Sequence, residues 1–297
     1  GSYLSTGSRY NPTTNAWSAI TTSGAPSARG PYNFDPENTF QSFSVFGSGK
    51  LYIWGGYNSA YIADGKYYDA SSNAWTTITT AKFPTATSAP AARFAHVGVW
   101  SGSEMIVWGG YDGSSYLSSG GRYNPTTNSW TTITTTSAPA GRRYAAAVWD
   151  SVNSQMIVWG GVNSSNTRVA SGARYSPTAN TWTATTTTSA PAARSEHTAV
   201  WANSTMIIWG GYDTSSAQLD TGSRYNPSTN TWSATTTTSA PSARYNHSMV
   251  TDGSNIVIIW GGYSGSGVEN TGAVYNPSTN AWTATTTTGA PVSRHAH

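Results

Sequence analysis

Residues 194–232 read RSEHTAVWANSTMIIWGGYDTSSAQLDTGSRYNPSTNTW, and each part of that stretch has counterparts elsewhere in the chain. Its end, Tyr225–Trp232, spells Tyr-Asn-Pro-x-x-Asn-x-Trp. The same string stands at Tyr10–Trp17, Tyr123–Trp130 and Tyr275–Trp282, with variants at Tyr68–Trp75 and Tyr175–Trp182. The six tryptophans, at 17, 75, 130, 182, 232 and 282, are spaced 58, 55, 52, 50 and 50 residues apart. The middle of the stretch is an apolar run ending in Trp-Gly-Gly, and such runs close at Gly56, Gly110, Gly161, Gly211 and Gly262. The stretch opens on an arginine that follows an Ala-Pro step, as do Arg29, Arg93, Arg142, Arg244 and Arg294. Four of the six units continue as Arg-x-x-His, giving His96, His197, His247 and His297. A period of this length is the mark of a repeat architecture.

Each unit reads as four short antiparallel strands. The first runs through His96-Val97-Gly98-Val99-Trp100 and its counterparts, with small residues (Gly98, Ala147, Ala199) suited to a crowded place where strands converge. The second, Met105-Ile106-Val107-Trp108, is an unbroken apolar run bounded by Gly-Gly, the pattern of a strand buried on both faces. The glycines give the chain backbone angles that a side chain would forbid. The third strand is expected to end at the Tyr before Asn-Pro, since Pro cannot donate to a ladder and Asn-Pro-x-x-Asn makes a turn. The fourth is expected to start at the Trp and continue into the Thr tract as an outer, half-exposed strand. Gly, Pro and β-branched residues interrupt every window of helical length.

Composition narrows the function classes. The 297 residues hold 15 Lys+Arg against 12 Asp+Glu, only 9% charged residues, 14 Trp, 18 Tyr and no Cys. That aromatic content can fill a large core. Apolar runs such as Ile256–Trp260 are far shorter than the roughly 20 residues of a membrane helix. Without Cys there is no disulfide, thiolate-bound zinc or thiol nucleophile. The basic residues form no run beyond Arg142-Arg143, so the phosphate footprint of a nucleic-acid binder is missing. The acids Asp64, Asp69, Glu104, Asp150, Glu196, Asp220 and Glu269 are scattered singly, which argues against a catalytic cluster. No catalytic residue, metal site or cofactor is assigned.

A Gly-Gly doublet after an apolar strand, then Tyr, then Trp, recurring about every 50 residues, resembles the kelch motif of β-propellers, and the likeness covers the whole chain. It implies an all-β, kelch-type β-propeller: a ring of four-stranded antiparallel blades around a channel. Six blades are expected, within a single domain whose units lie near 1–20, 21–80, 81–135, 136–187, 188–237 and 238–287, with 288–297 starting the closing strand. Kelch propellers serve as binding modules, scaffolds and some enzymes, so the fold alone does not assign an activity. A copper enzyme like galactose oxidase needs a Cys–Tyr crosslink, which this chain cannot form. The Thr-rich, Lys-poor composition resembles bacterial secreted or surface kelch arrays.

Counting elements leaves one blade incomplete. There are six arginine starts, five Gly-Gly strands, six Tyr strands and six Trp strands. Alignment of the repeats places about 18 residues between His297 and Gly1, enough to finish a first strand and supply the sixth Gly-Gly strand. The expectation is a natural chain longer than 297 residues. The opening Gly1-Ser2, without an initiator Met, fits a mature or excised segment.

In an up-and-down meander the start of strand one and the loop after strand two share a face. That face is expected to carry Arg29, Arg93, Arg142, Arg194, Arg244 and Arg294, flanked by Tyr57, Tyr111, Tyr212 and Tyr263. Arg forks suit carboxylates or sulfates, and Tyr offers a flat surface to sugar or peptide. In some kelch domains the matching arginines bind acidic peptides. The alternative is that each Arg ties its own loop to a backbone carbonyl, and that each Tyr caps its strand. The repeated His is expected to pack between blades. His295 and His297 are adventitious metal ligands at most. Asp112-Gly113 and Asp252-Gly253 read as turns.

Two irregular segments, Asn33–Asn38 and Lys82-Phe83-Pro84, are candidates for a partner contact or assembly lock. Thr tracts beside Ser-Ala-Pro resemble O-glycan acceptors, and sequons stand at Asn163, Asn203 and Asn246. The leading expectation is a non-catalytic binding or assembly module of an extracellular or cell-surface protein. Its partner would be a protein or glycan, acidic in one version, without nucleic acid or membrane insertion. The alternatives are a structural subunit of an extracellular assembly, self-assembling or attached to a larger chain, and a carbohydrate-active enzyme such as a sugar mutarotase or hydrolase.

Overall fold

The structure is a computed structural model and describes residues 6–29, 44–80, 89–252 and 255–295. The described residues contain no α-helix. Five four-stranded antiparallel sheets follow one another along the chain, spanning 44–78, 97–132, 146–184, 198–234 and 248–284. In the fourth, Thr198–Ala202, Thr205–Trp209, Gly222–Asn226 and Thr231–Ala234 pair in sequence. A two-stranded hairpin, Ser8–Asn11 with Ala16–Ala19, precedes them. One register recurs. Trp209 faces Gly222 and Tyr225 faces Trp232, just as Trp108 faces Gly120 and Tyr123 faces Trp130.

The core lies between sheets. Met206, Ile207, Ile208 and Trp209 are all buried. Ile207 and Trp209 pack with Met249, Val257 and Ile259 of the following sheet, while Met206 and Ile208 pack with Val148, Ile157 and Trp159 of the preceding one. This is the period-two alternation of a strand covered on both faces. Each large side chain so buried contributes roughly 1.5–3 kcal/mol. First strands of successive sheets lie against one another, 44–47 on 97–100 and so on through 248–251. Fourth strands turn outward, with Trp232 buried and its strand neighbours exposed. The sheets therefore radiate from an inner set of first strands, as the propeller resemblance implied.

The Tyr-Asn-Pro-x-x-Asn-x-Trp string joins each unit to the one before it. The second Asn sits in the left-handed region in all six copies, with φ of 51° at Asn15, 52° at Asn73, 48° at Asn128, 51° at Asn180, 54° at Asn230 and 53° at Asn280. Its Oδ1 accepts the Tyr hydroxyl of its own unit, as Tyr225 Oη to Asn230 Oδ1 at 2.7 Å. The same oxygen accepts a backbone N–H from the preceding unit, Thr186 N at 2.9 Å. The neighbouring indole donates to that threonine's carbonyl, Trp232 Nε1 to Thr186 O at 3.1 Å. The clasp repeats at Trp75, Trp130, Trp182 and Trp282. The first Asn makes the turn itself, Asn226 Oδ1 accepting the N–H of Ser228 at 2.9 Å.

Two strand limits differ from expectation. The third strand runs one residue further, to Asn226, because the turn lies wholly beyond that residue. The fourth starts one residue before the Trp and stops at Ala184, Ala234 and Ala284, so most of the Thr tract is not strand. After Ala184 the backbone of Thr186 leaves the ladder for Asn230 and Trp232 of the next unit, and Thr186 Oγ1 accepts the N–H of Thr188. The irregular segments Asn33–Asn38 and Lys82-Phe83-Pro84 lie outside the described residues.

Candidate interaction face

The start of strand one and the loop after Gly-Gly do meet on one face. Phe94 bridges to Tyr111 and Ser195 to Tyr212, while Arg143 pairs with Val162 and Tyr245 with Tyr263. The glycines permit this meeting. Gly210 and Gly211 have φ of 71° and 89°, and the Gly211 N–H donates to Arg244 O of the next unit at 2.9 Å. A Cβ on Gly211 would lie 2.7 Å from His197 N.

Arg29, Arg93, Arg142, Arg194 and Arg244 lie beneath this face, with Arg93, Arg194 and Arg244 each only 1% exposed. Arg194 shows the shared pattern. Its Nε donates to Ala192 O, its Nη1 to Gly210 O and Thr221 O, and its Nη2 to Thr221 Oγ1. The guanidinium thus ties the end of strand two to the approach to strand three within its own sheet, while its backbone carbonyl receives the preceding unit's second glycine. Burial lowers the pKa of Arg93, Arg142 and Arg194 to about 10, which leaves them cationic at neutral pH. Arg29 adds an ion pair with Asp64 at 2.8 Å. Arg294 is exposed.

The repeated histidines are packing groups. A Cβ on Gly210 of the preceding unit would meet His247 Cε1 at 2.7 Å, and His247 stands edge-on to Trp209 with ring centroids 5.2 Å apart. His197 repeats this against Trp159, and His96 lies against Gly55. Burial, and then the field of the neighbouring arginine, lowers the pKa of His96 and His197 to about 3, so both are neutral.

The tyrosines fall into two clusters. Tyr57 and Tyr111 are linked through Tyr61, at 5.3 and 6.1 Å between ring centroids. Tyr116 lies 5.1 Å from Tyr111, and Phe94 and Tyr144 are buried beneath. Tyr212 and Tyr263 are linked through Tyr245, at 4.3 and 5.6 Å. Burial, followed by the hydrogen bond with Tyr245, pushes the Tyr212 hydroxyl well above the ordinary phenol range, so it stays protonated.

Each cluster carries one arginine outside the six-fold series. Arg143 lies over the rings of Tyr144, Tyr116 and Tyr111 at 4.6, 5.4 and 5.8 Å. Arg168 lies over Tyr212 at 5.4 Å and donates Nε to Ser195 Oγ at 2.9 Å. Both are partly exposed. The sequence signal for Arg143 was its place in the repeat, where the other units have Gly30, Phe94, Ser195, Tyr245 and His295. Arg168 stands in a variable loop and had no such signal.

The residue two places after the arginine adopts positive φ in four units: Ala95 at 51°, Tyr144 at 58°, Glu196 at 56° and Asn246 at 52°. These residues connect successive units, Tyr144 N donating to Ala95 O and Asn246 Nδ2 to Glu196 Oε2 at 3.4 Å.

Several carboxylates serve local structure. Asp150 is fully buried and accepts from Val152 N, Asn153 N, Asn153 Nδ2 and Gln155 Nε2. Glu104 pairs with Arg122 at 3.1 Å. Glu269 accepts the hydroxyls of Ser264 and Thr271, which hold its carboxyl below the usual range. Asp112 caps its turn through Ser114 N and Ser115 N. Among the described residues no group of three or more His, Asp or Glu side chains could hold a metal ion.

No curated protein matches the chain. A family model does, the KLHDC2/KLHL20/DRC7 Kelch-repeats domain, over residues 1–188 and again over 150–297. The two matches together span the chain from end to end and agree with its recurring Gly-Gly, Tyr and Trp register, so this protein belongs to the kelch-repeat family and has the all-β architecture of a kelch β-propeller.

Proposed function

We propose that the chain is a non-catalytic protein-interaction module that takes an acidic, extended segment of its partner across the loop face between Arg143 and Arg168. The observation that carries this reading is the placement of two guanidinium groups over tyrosine rings on one face. A guanidinium laid over a ring by its face meets a carboxylate with its edge, and the rings add flat apolar surface. The five buried arginines support this face from below, while Tyr57, Tyr111, Tyr212 and Tyr263 are its aromatic surface. Membership of the kelch family supports a protein partner. The outer strands, which carry Thr and Ser but neither Lys nor Glu, support a place outside the cell, where edge protection comes from assembly or from a sugar coat.

The test is fluorescence anisotropy with a labelled decapeptide of alternating Glu and Gly. Saturable, salt-sensitive binding is expected, and it should weaken more than tenfold in the double variant Arg143→Ala, Arg168→Ala with Tm unchanged. A variant that binds as well as the parent, or a parent that binds no better than it binds a Ser-Gly decapeptide, overturns the proposal.

A further inference from the structure

The five loops that follow Gly-Gly differ in charge, and the third stands apart. Asp64 lies in the first loop, Asp112 in the second, Asp213 and Asp220 in the fourth and Glu269 in the fifth. The third, residues 162–172, holds no acid and carries Arg168. The arginines behind the loops follow the same division. Arg29 pairs with Asp64. Burial lowers the pKa of Arg93, Arg194 and Arg244, and the carboxylates of Asp112, Asp213 and Glu269 act in turn against that effect. Arg142 is 3% exposed, and among the described residues no carboxylate opposes the effect of burial on it. With Arg143 and Arg168, three guanidinium groups gather at this end of the third sheet. The one acid of that sheet, Asp150, is buried at the other end of its first strand.

Asn163 marks where the charge is missing. It pairs with Arg142 and stands two residues after its Gly-Gly, as Asp112 and Asp213 do after theirs. Its Oδ1 accepts the N–H groups of Ser165 and Thr167 at 3.0 and 3.1 Å. Asp213 Oδ1 accepts those of Ser215 and Ala217 at 2.8 and 2.9 Å. Asn and Asp serve alike in such a turn, so the fold does not choose between them here. What the amide changes is charge.

The loop is tied to both neighbours. Tyr116 Oη donates to Asn166 Oδ1 at 3.4 Å, and Arg168 Nη1 donates to Ser216 Oγ at 3.3 Å. Glu196, at the start of the fourth sheet's unit, is buried and accepts Asn246 Nδ2. A positive loop thus stands between two that carry acids. Clustered cations without counterions raise the local potential for an anion, and flanking like charges turn the wrong one away.

We propose that residues 162–168 form the subsite for the partner's principal carboxylate, and that Asn163 sets its specificity. This rests on the acidic-segment reading above and places the segment's charge. The second and fourth loops carry an acid at this position. The third omits it, and an Asp or Glu side chain of the partner takes its place between Arg143 and Arg168. Asp112 and Asp213 repel acids on either side, so the segment carries carboxylates at its centre and neutral or basic residues at its ends.

Two capped, labelled decapeptides of identical composition test the arrangement: Lys-Gly-Ser-Gly-Glu-Glu-Gly-Ser-Gly-Lys and Glu-Gly-Ser-Gly-Lys-Lys-Gly-Ser-Gly-Glu. In anisotropy at low salt the first should bind about tenfold more tightly. Asn163→Asp should weaken it about tenfold, with Tm no lower than the parent's, because Asp already makes this turn at 112 and 213. That loss should shrink below about threefold in about 0.5 M salt, which a purely structural defect would not do. Asp213→Asn should tighten binding about threefold. Equal binding of the two peptides, an Asn163→Asp variant that binds like the parent, or a loss that salt leaves unchanged overturns this inference. The reading of the face itself survives any of these if the alternating Glu-Gly decapeptide binds the parent and not the double arginine variant. A parent that binds no acidic peptide overturns both.

Discussion

Asn230 illustrates how much a single residue of the repeat carries. It adopts φ of 54°, receives a phenol from its own unit and a backbone N–H from the preceding one. Each hydrogen bond contributes about 1 kcal/mol, and the left-handed conformation costs a further 1–2 kcal/mol for a residue other than Gly or Asn. Asn230→Ala should therefore lose about 3 kcal/mol in urea denaturation. Asn230→Gly keeps the backbone conformation and should lose about 2 kcal/mol, mostly from the two bonds. The buried histidines act through pH. His96 and His197 have folded values of about 3 against 6.5 unfolded, so the unfolded chain binds protons first as pH falls. Their contribution is complete above pH 6.5 and is lost progressively towards pH 3. Tm should fall between pH 7 and pH 4. His197→Ala, which copies the Ala145 of another unit, should lower Tm at pH 7 and flatten that slope.

At the scale of the element, the second strand and its glycines decide whether sheets can meet. Gly211→Ala places a methyl 2.7 Å from a backbone nitrogen at φ of 89° and should cost about 3 kcal/mol or abolish expression. Gly102 has φ of 98° but nothing within 4 Å, so Gly102→Ala should cost only about 1 kcal/mol of backbone strain, and thermal melts of the pair separate crowding from strain. The strands themselves were legible in the sequence because their cause is local: an apolar run, a turn, an alternating pattern. The Thr tract misled for the opposite reason. Its β-branched residues favour strand, but Thr186 is claimed by Asn230 and Trp232, more than forty residues away. No local propensity reports such a pairing. The candidate face was half legible. Repetition located the start of strand one and the loops after Gly-Gly, and the four tyrosines stand there. Repetition also marks what every unit needs, and it drew attention to arginines that hold their own loops. Arg143 and Arg168 depart from the repeat, which is why pattern alone passed over them.

Across the whole molecule, the sheets share their cores and their clasps with neighbours, so stability resides at the boundaries between units. In a repeat array of this kind each unit's stability depends on its flanking interfaces. The same residue should then matter very differently according to place. Trp182 is buried against Trp108 and Val158, and its indole bonds Thr134 O of the preceding unit at 2.9 Å. Trp17 holds the same sequence position but is exposed, with its ring 5.2 Å from that of Tyr10. Trp182→Ala opens a cavity at a central boundary and should cost about 3–5 kcal/mol. Trp17→Ala should shift denaturation by less than about 0.5 kcal/mol, as exposed substitutions do. Measured side by side in urea, the two variants report whether the boundaries carry the fold. Equal losses would mean that the hairpin is docked in solution as firmly as the central units.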